Sequence, residues 1–486
     1  MAGSKAAFVA ALLGATALLS PMAAQAQRRA GPSAREAALE ARLAKMEAEL
    51  AELRTALQAS RAQTDAEGAA SAARAAQLAE AAQAAVTRSE ATAAKLAALE
   101  AKPAPEGMRS GNTTIKLTGF VKLVAASSHF ANGAVATNSL GRDFYLPQTI
   151  PVGSAEGTTD TDFGAKQTQL AVNLASTVAG HRVLGYVETD FQVDSNAAPA
   201  ISGGGSQRTT NGYTLALRRA WLQVDRLLIG QEWTNFQYVG ALPESTDYVG
   251  ATEGTVFARQ PQIRYAAPLS KAVTLSVAVE NPESATATLD GPALVENGTD
   301  HLPDATARLN LISSRGELSL AGLMRQVRLE ASGTGRTQAG YGVSAAGKLW
   351  LNAAKSADLR AMVTYGRDIS RYVGLNFAPD AVLMPATGRL KHVKVLAGLV
   401  AVRVPLAAQW RANLIGSFQQ VDYASALPLA SIAAYNKRAF SIAGNLFTSP
   451  VKNVDLGIEF RHGERELVSG QKGRLERVEF AAKYGF

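Results

Sequence analysis

The sequence predicts an all-β transmembrane barrel of 16 antiparallel strands, preceded by an N-terminal α-helical coiled-coil segment. Three observations carry that expectation. From Ile115 onward, apolar and polar residues alternate with a period of two. The alternating stretches outrun the roughly five to six residues usual in globular sheets. The links between them are alternately short and long, as in barrels with short periplasmic turns and long external loops.

Taken in order, the chain opens with Lys5, a small or apolar run from Ala6 to Leu19, and Ala24-Gln25-Ala26, an A-x-A cleavage pattern. The run is too short to span a bilayer as a helix, so 1–26 reads as a signal peptide cleaved after Ala26. No later run is apolar enough for a transmembrane helix. Residues 27–102 read as a periplasmic helical segment. Leu39, Leu43, Met46, Leu50, Leu53 and Leu57 recur at alternating steps of four and three, an a/d seam flanked by Glu40, Arg42, Glu47 and Arg54. A single Ala-rich helix or a spacer is the alternative. Pro103 and Pro105 stop the helix, and 103–114 forms a linker.

The domain 115–486 then takes over with the strand period. In IKLTGFVKLVA, Ile115, Leu117, Val121 and Leu123 share one face, with Lys116, Thr118 and Lys122 opposite. Strands are expected near 115–127, 165–176, 181–193, 212–225, 227–236, 255–267, 271–280 and 303–313. The rest fall near 316–328, 338–353, 355–367, 389–405, 408–424, 435–449, 451–466 and 473–486. Short turns are expected at Ala179-Gly180, Asp225-Arg226, Pro268-Leu269-Ser270, Ser314-Arg315, Ala354, Leu406-Ala407 and Pro450. That parity puts both barrel ends in the periplasm. Lipid offers no hydrogen bonds, so such strands must close on themselves with apolar residues outward. Trp221, Tyr265, Tyr365, Trp410 and Tyr484 are expected to form an outward aromatic girdle. The closing RLERVEFAAKYGF should turn Val478, Phe480, Ala482 and Tyr484 to lipid and pair with the strand starting at Ile115.

Sixteen strands enclose an aqueous lumen. Its inward parity carries Lys116, Lys122, Arg218, Arg264, Arg308, Arg325, Arg360, Arg411 and Arg461. The opposing acids Glu188, Asp190, Glu459 and Glu479 are fewer. Such a set favours anions, and arginine can grip a carboxylate with two parallel donors. The alternative for any one arginine is a stabilising pair with a wall carboxylate.

Other chemistries find little support. The absence of cysteine excludes disulfides, thiolate metal sites and cysteine catalysis. GVSAAGKL (342–349) lacks the Ser or Thr of a phosphate-binding loop at Leu349 and lies in a strand. The five histidines lack metal-ligand spacing, and no catalytic constellation or cofactor motif stands out. The net charge of +8 is not gathered into a nucleic-acid patch.

The heptad segment followed by FGAKQTQLAVN, GYVETDF, LRRAW, LLIGQEWTNF, RQPQIRY, LGIEFRHGERE and a closing KYGF resembles the DcaP-like trimeric outer-membrane porins. The likeness runs over most of 115–267 and again over 455–486. It implies a homotrimer in outer-membrane lipids with a periplasmic coiled coil; a grip of that coiled coil on the cell wall is a separate expectation. It also implies diffusion of small anionic solutes, dicarboxylates among them, through a basic constriction. Arg218 and Arg264 fall where family members tend to carry inward arginines, whereas Lys166 and Gln169 stand where arginines would be expected. A phosphate-selective porin and an envelope tether with an incidental pore are the competing functions.

Overall fold

The computed structural model describes residues 41–48, 51, 55, 107–137, 139–193, 212–296, 298–331 and 334–486. The expected signal peptide and most of the heptad segment lie outside the described residues. Residues 41–48 are helical, and the seam residues Leu43 and Met46 are exposed there. The chain divides into two units, 1–70 and 71–486.

Among the described residues, the second unit is built mainly of strands. In order they are β1 (Met108–Ser110), β2 (Thr113–Phe130), β3 (Thr158–Gly164), β4 (Gln169–Val178), β5 (His181–Asp190), β6 (Ala216–Val224) and β7 (Leu227–Trp233). Next come β8 (Arg259–Pro268), β9 (Val273–Glu280), β10 (Ala285–Thr288), β11 (Gly291–Glu296), β12 (Asp304–Ser313), β13 (Gly316–Ala331) and β14 (Thr334–Trp350). The last are β15 (Asp358–Arg367), β16 (Ala381–Met384), β17 (Arg389–Pro405), β18 (Trp410–Tyr423), β19 (Asn436–Val451), β20 (Val454–Leu467) and β21 (Lys472–Gly485).

Sixteen of these close an antiparallel barrel. β2 pairs with β4 through Leu117↔Val172 and with β21 through Leu123↔Ala482, so the first and last barrel strands form the seam. β1 folds back on β2 inside the expected linker. β3 extends the line of β4 along the upper part of β2, and β10, β11 and β16 make a small accessory sheet beside β17. At Gly119 a side chain would collide with the Gln169 carbonyl, and its φ of 152° is one that L residues rarely adopt.

Burial is inverted relative to a soluble protein. Leu117 is 59% exposed on the outer wall, whereas Arg461 on the inner wall is 1% exposed. Leu170, Ile229, Ile263, Val363, Val400 and Tyr484 are likewise exposed. Alternation has sent the apolar parity outward, as lipid requires. The tight turns show the backbone expected of two-residue hairpins: Ala179 and Gly180 both have positive φ, as does Asn453.

Three local expectations are corrected. Trp221 shares the inner face with Arg219 and stacks on Tyr186 at 5.5 Å, so it is not part of an outward girdle. The last short turn is Lys452-Asn453, because β19 runs through Pro450 to Val451. β13 and β14 extend to Ala331 and Thr334, which pair with each other, so only two residues separate the strands at that long-loop end.

Candidate functional site

The lumen is narrowed by the segment joining β7 to β8. Residues 234–258 fold inward rather than outward. Phe236, Ala251 and Val256 pack with Ile369 and Tyr372 of the β15–β16 link onto Leu323, Met362 and Ile415 of the inner wall. Backbone bonds stitch the two links together: Phe257 N donates to Tyr372 O at 2.9 Å and Gly374 N to Thr255 O at 3.1 Å. Gly254 lies so close to β17 that a Cβ would collide with the Gly398 carbonyl.

Wall cations hold this loop by its carbonyls. Lys122 Nζ donates to Thr246 O and to Gln167 Oε1, both at 2.6 Å. Arg360 Nη1 donates to Leu242 O at 2.5 Å, and Arg308 Nη1 donates to Gln237 O. Asn445 Nδ2 donates to Glu244 O at 2.8 Å, and Ser245 Oγ to Glu459 Oε2 at 2.6 Å. Within the loop, Asp247 accepts from the backbone N–H groups of Tyr145, Val249 and Gly250. Burial pushes the loop carboxyls of Glu244 and Glu253 above the usual carboxylate range, and Arg411 pulls Glu244 part of the way back.

The nine cations expected to line the pore divide into two groups. Arg218 pairs with Asp190 at 2.7 Å, Arg360 with Asp358 at 2.7 Å, and Arg461 with Glu459 at 2.6 Å. Arg325 lies between Asp380 at 3.0 Å and Asp304 at 3.4 Å. Arg411 reaches Glu244 at 3.2 Å and Asp455 at 3.7 Å. Lys122 is committed to the loop. Arg264, Arg308 and Lys116 remain, with no carboxylate within ion-pair distance among the described residues. Arg264 faces Ala278 and Arg308 faces Ser276 in the ladder, which sets the two arginines diagonally across β9 on one patch of the inner wall.

Several inward groups escaped the sequence reading. Arg219 grips Glu232 at 2.6 Å and Glu188 at 3.1 Å and lies over the Tyr186 ring. Adjacent residues should face opposite ways, but a register shift between Glu188 and Thr189 makes Arg218 the extra residue of a bulge. That bulge is why both arginines of LRRAW reach carboxylates. Arg403 pairs with Asp358 at 3.0 Å. Arg477, which the alternation of the closing strand already turns away from lipid, donates to Ser128 Oγ at 2.8 Å and Gly141 O at 2.5 Å. Lys166, standing where an arginine was expected, pairs with Asp143 at 2.8 Å.

A closed sixteen-strand barrel with an apolar exterior, a charged interior and an inward loop defines an outer-membrane β-barrel protein. The chain belongs to the DcaP outer membrane protein family, whose model matches residues 91–486. Among solved structures, the outer membrane channel DcaP of Acinetobacter baumannii is similar at 24% identity and a TM-score of 0.62, covering 79% of this chain and 100% of that one. OmpT of Vibrio cholerae is similar at 11% identity and a TM-score of 0.48, again over 79% of this chain and 100% of that one. A comparison with curated proteins found no match.

Proposed function

We propose that the chain is an anion-preferring porin passing small carboxylates, dicarboxylates among them, as a homotrimer anchored by a periplasmic coiled coil formed by 27–102. The observation that carries this reading is the pair Arg264 and Arg308. Most of the lumen's arginines are neutralised by carboxylates, but these two hold positive charge on one inner patch without a partner acid. Fixed cations against low-dielectric walls raise the local concentration of passing anions. The Arg264 fork offers paired N–H donors that match a planar carboxylate, and Arg308, which also holds the Gln237 carbonyl, adds positive charge beside it.

The experiment is single-channel recording in a planar bilayer under a salt gradient. The reversal potential is expected to show anion preference, and succinate is expected to block chloride current more strongly than inorganic phosphate. Cation preference would overturn the proposal. Stronger block by phosphate would favour the phosphate-selective reading.

A further inference from the structure

The inner wall where β20, β21 and β2 meet carries its charges in opposed pairs. Arg461 faces Arg477 in the ladder, Glu459 faces Glu479, and Lys122 faces Lys483. Like charges placed opposite each other destabilise a sheet unless other groups compensate them. Most of these are compensated. Arg461 pairs with Glu459 at 2.6 Å, and Arg477 donates to Ser128 Oγ and Gly141 O, with Asp247 of the inward loop 3.9 Å away. Glu459 also accepts from Ser245 and Asn445, and Asp247 accepts from the backbone N–H groups of Tyr145, Val249 and Gly250. Lys483 lies over the Phe120 ring at 4.1 Å.

Glu479 is the exception. It is 2% exposed, and among the described residues neither of its carboxyl oxygens has a hydrogen-bond donor and no cation stands within ion-pair distance. The charges that face it are Asp247 of the loop, Lys122 on β2, Arg477 on its own strand and Glu459 on β20. Glu253, also in the loop, is likewise buried without a donor, and Arg461, Tyr145, Ser417 and Ser441 face it. The carboxyls Asp247, Glu253, Glu459 and Glu479 thus outnumber the cations Lys122, Arg461 and Arg477. A carboxyl buried without a donor takes up a proton rather than stay charged. A metal ion does not fit, because cations crowd the site and no group of metal-ligating side chains is assembled among the described residues. Lys122 stands two inward positions along the wall from Glu479, with only Val124 and Ala481 between them. Its Nζ is held by Thr246 O and Gln167 Oε1, both at 2.6 Å.

We propose that Glu479 is a proton-controlled latch for the inward loop. Protonated, it lies beside Asp247 without repelling it and leaves Lys122 on the Thr246 carbonyl, so the loop stays seated. When its proton passes to lumen water, the new carboxylate repels Asp247 and draws Lys122 Nζ away from Thr246. The loop then loosens around Thr246 and Asp247. The seated loop tolerates only the protonated carboxyl, so seating is complete at low pH and is lost as pH rises through the range in which Glu479 ionises. The pore therefore widens toward alkaline pH. Glu244 and Glu253, pushed up by burial, act in the same direction. Arg411 compensates Glu244 at 3.2 Å, however, and Arg461 faces Glu253, so neither draws a cation off a loop carbonyl.

The test is single-channel recording of the full chain in symmetric potassium chloride from about pH 5 to about pH 9, a range that brackets buried carboxyls without donors. The conductance of the unaltered protein is expected to rise with pH. Glu479→Gln keeps the neutral shape and should lose that rise, holding the low-pH conductance throughout. Lys122→Met removes the other half of the latch and should hold the high conductance throughout. A parent conductance that does not change with pH would overturn the proposal. So would a rise that persists in either variant, or one that is abolished by Glu244→Gln or Glu253→Gln but not by Glu479→Gln. The Lys122→Met arm decides the matter even where Glu479→Gln does not fold, and heat-modified electrophoretic mobility verifies folding. The latch presupposes a pore but not anion preference, and reversal potentials of the same channels keep the two apart. Flat conductance with anion preference overturns the latch alone, whereas absence of channels at every pH overturns the pore and the latch together.

Discussion

At the scale of single residues, the lumen separates cations that hold the barrel together from cations that remain available. Arg461 is 1% exposed and bonded to Glu459 at 2.6 Å, with Tyr145 stacked over it at 4.8 Å. Removing it leaves a buried carboxylate without its partner, a loss of about 3–5 kcal/mol. Arg461→Met is therefore expected to lower the temperature at which the barrel loses its compact electrophoretic mobility. Arg264→Gln breaks no ion pair and should leave that temperature unchanged. The same variant should shift the reversal potential toward cation preference, and unchanged selectivity would place the filter elsewhere. The parity of RQPQIRY already marked Arg264 as inward. What parity could not reveal was the supply of counter-ions. Glu244, the partner of Arg411, is 167 residues distant in sequence, and Asp380, the partner of Arg325, comes from a different link. Local alternation says which way a side chain points, but not what it meets across a lumen.

At the scale of elements, the 234–258 loop is the part least legible beforehand. Its residues have no period, and nothing in their composition distinguishes a loop folded outward into water from one folded inward onto a wall. Its inward course depends on matched features far apart in the chain. Gly398 and Gly254 allow backbone to approach backbone, while Lys122, Arg360 and Arg308 wait on the wall for loop carbonyls. The bulge in β6 was hidden for a similar reason, since LRRAW reads as plain alternation until its register with β5 is known. The loop's seating gives a direct prediction. Gly254→Val places a side chain against the Gly398 carbonyl and must push the turn away from β17 and β18. Single-channel conductance should rise and the open-channel current become noisier, with barrel stability little changed because the strand ladders are untouched. Conductance equal to that of the parent would mean that the loop does not set the narrowest section.

At the scale of the whole molecule, the number of strands and the closing seam were legible because lipid imposes one rule on every strand. Each must hide its backbone in ladder bonds and turn alternate side chains outward, so the pattern repeats from Ile115 to Tyr484 and can be counted. The interruptions, β3 and the accessory sheet of β10, β11 and β16, arise in links that lipid does not constrain. Closure itself makes the last prediction. β21 pairs along its length with both β20 and β2, from Val454↔Tyr484 to Glu466↔Lys472 on one side and from Phe120↔Gly485 to Phe130↔Leu475 on the other. Truncation before Lys472 leaves two ladder edges open, and in hydrocarbon each unpaired backbone group costs several kcal/mol. Such a chain should yield no heat-modifiable barrel and no channels. Deleting 33–102 removes no strand and no ladder bond, so the barrel should assemble and conduct as before. Loss of envelope integrity in cells carrying that deletion, with conductance retained, would assign the helical segment to tethering. Loss of conductance would instead show that the segment is needed to assemble the pore.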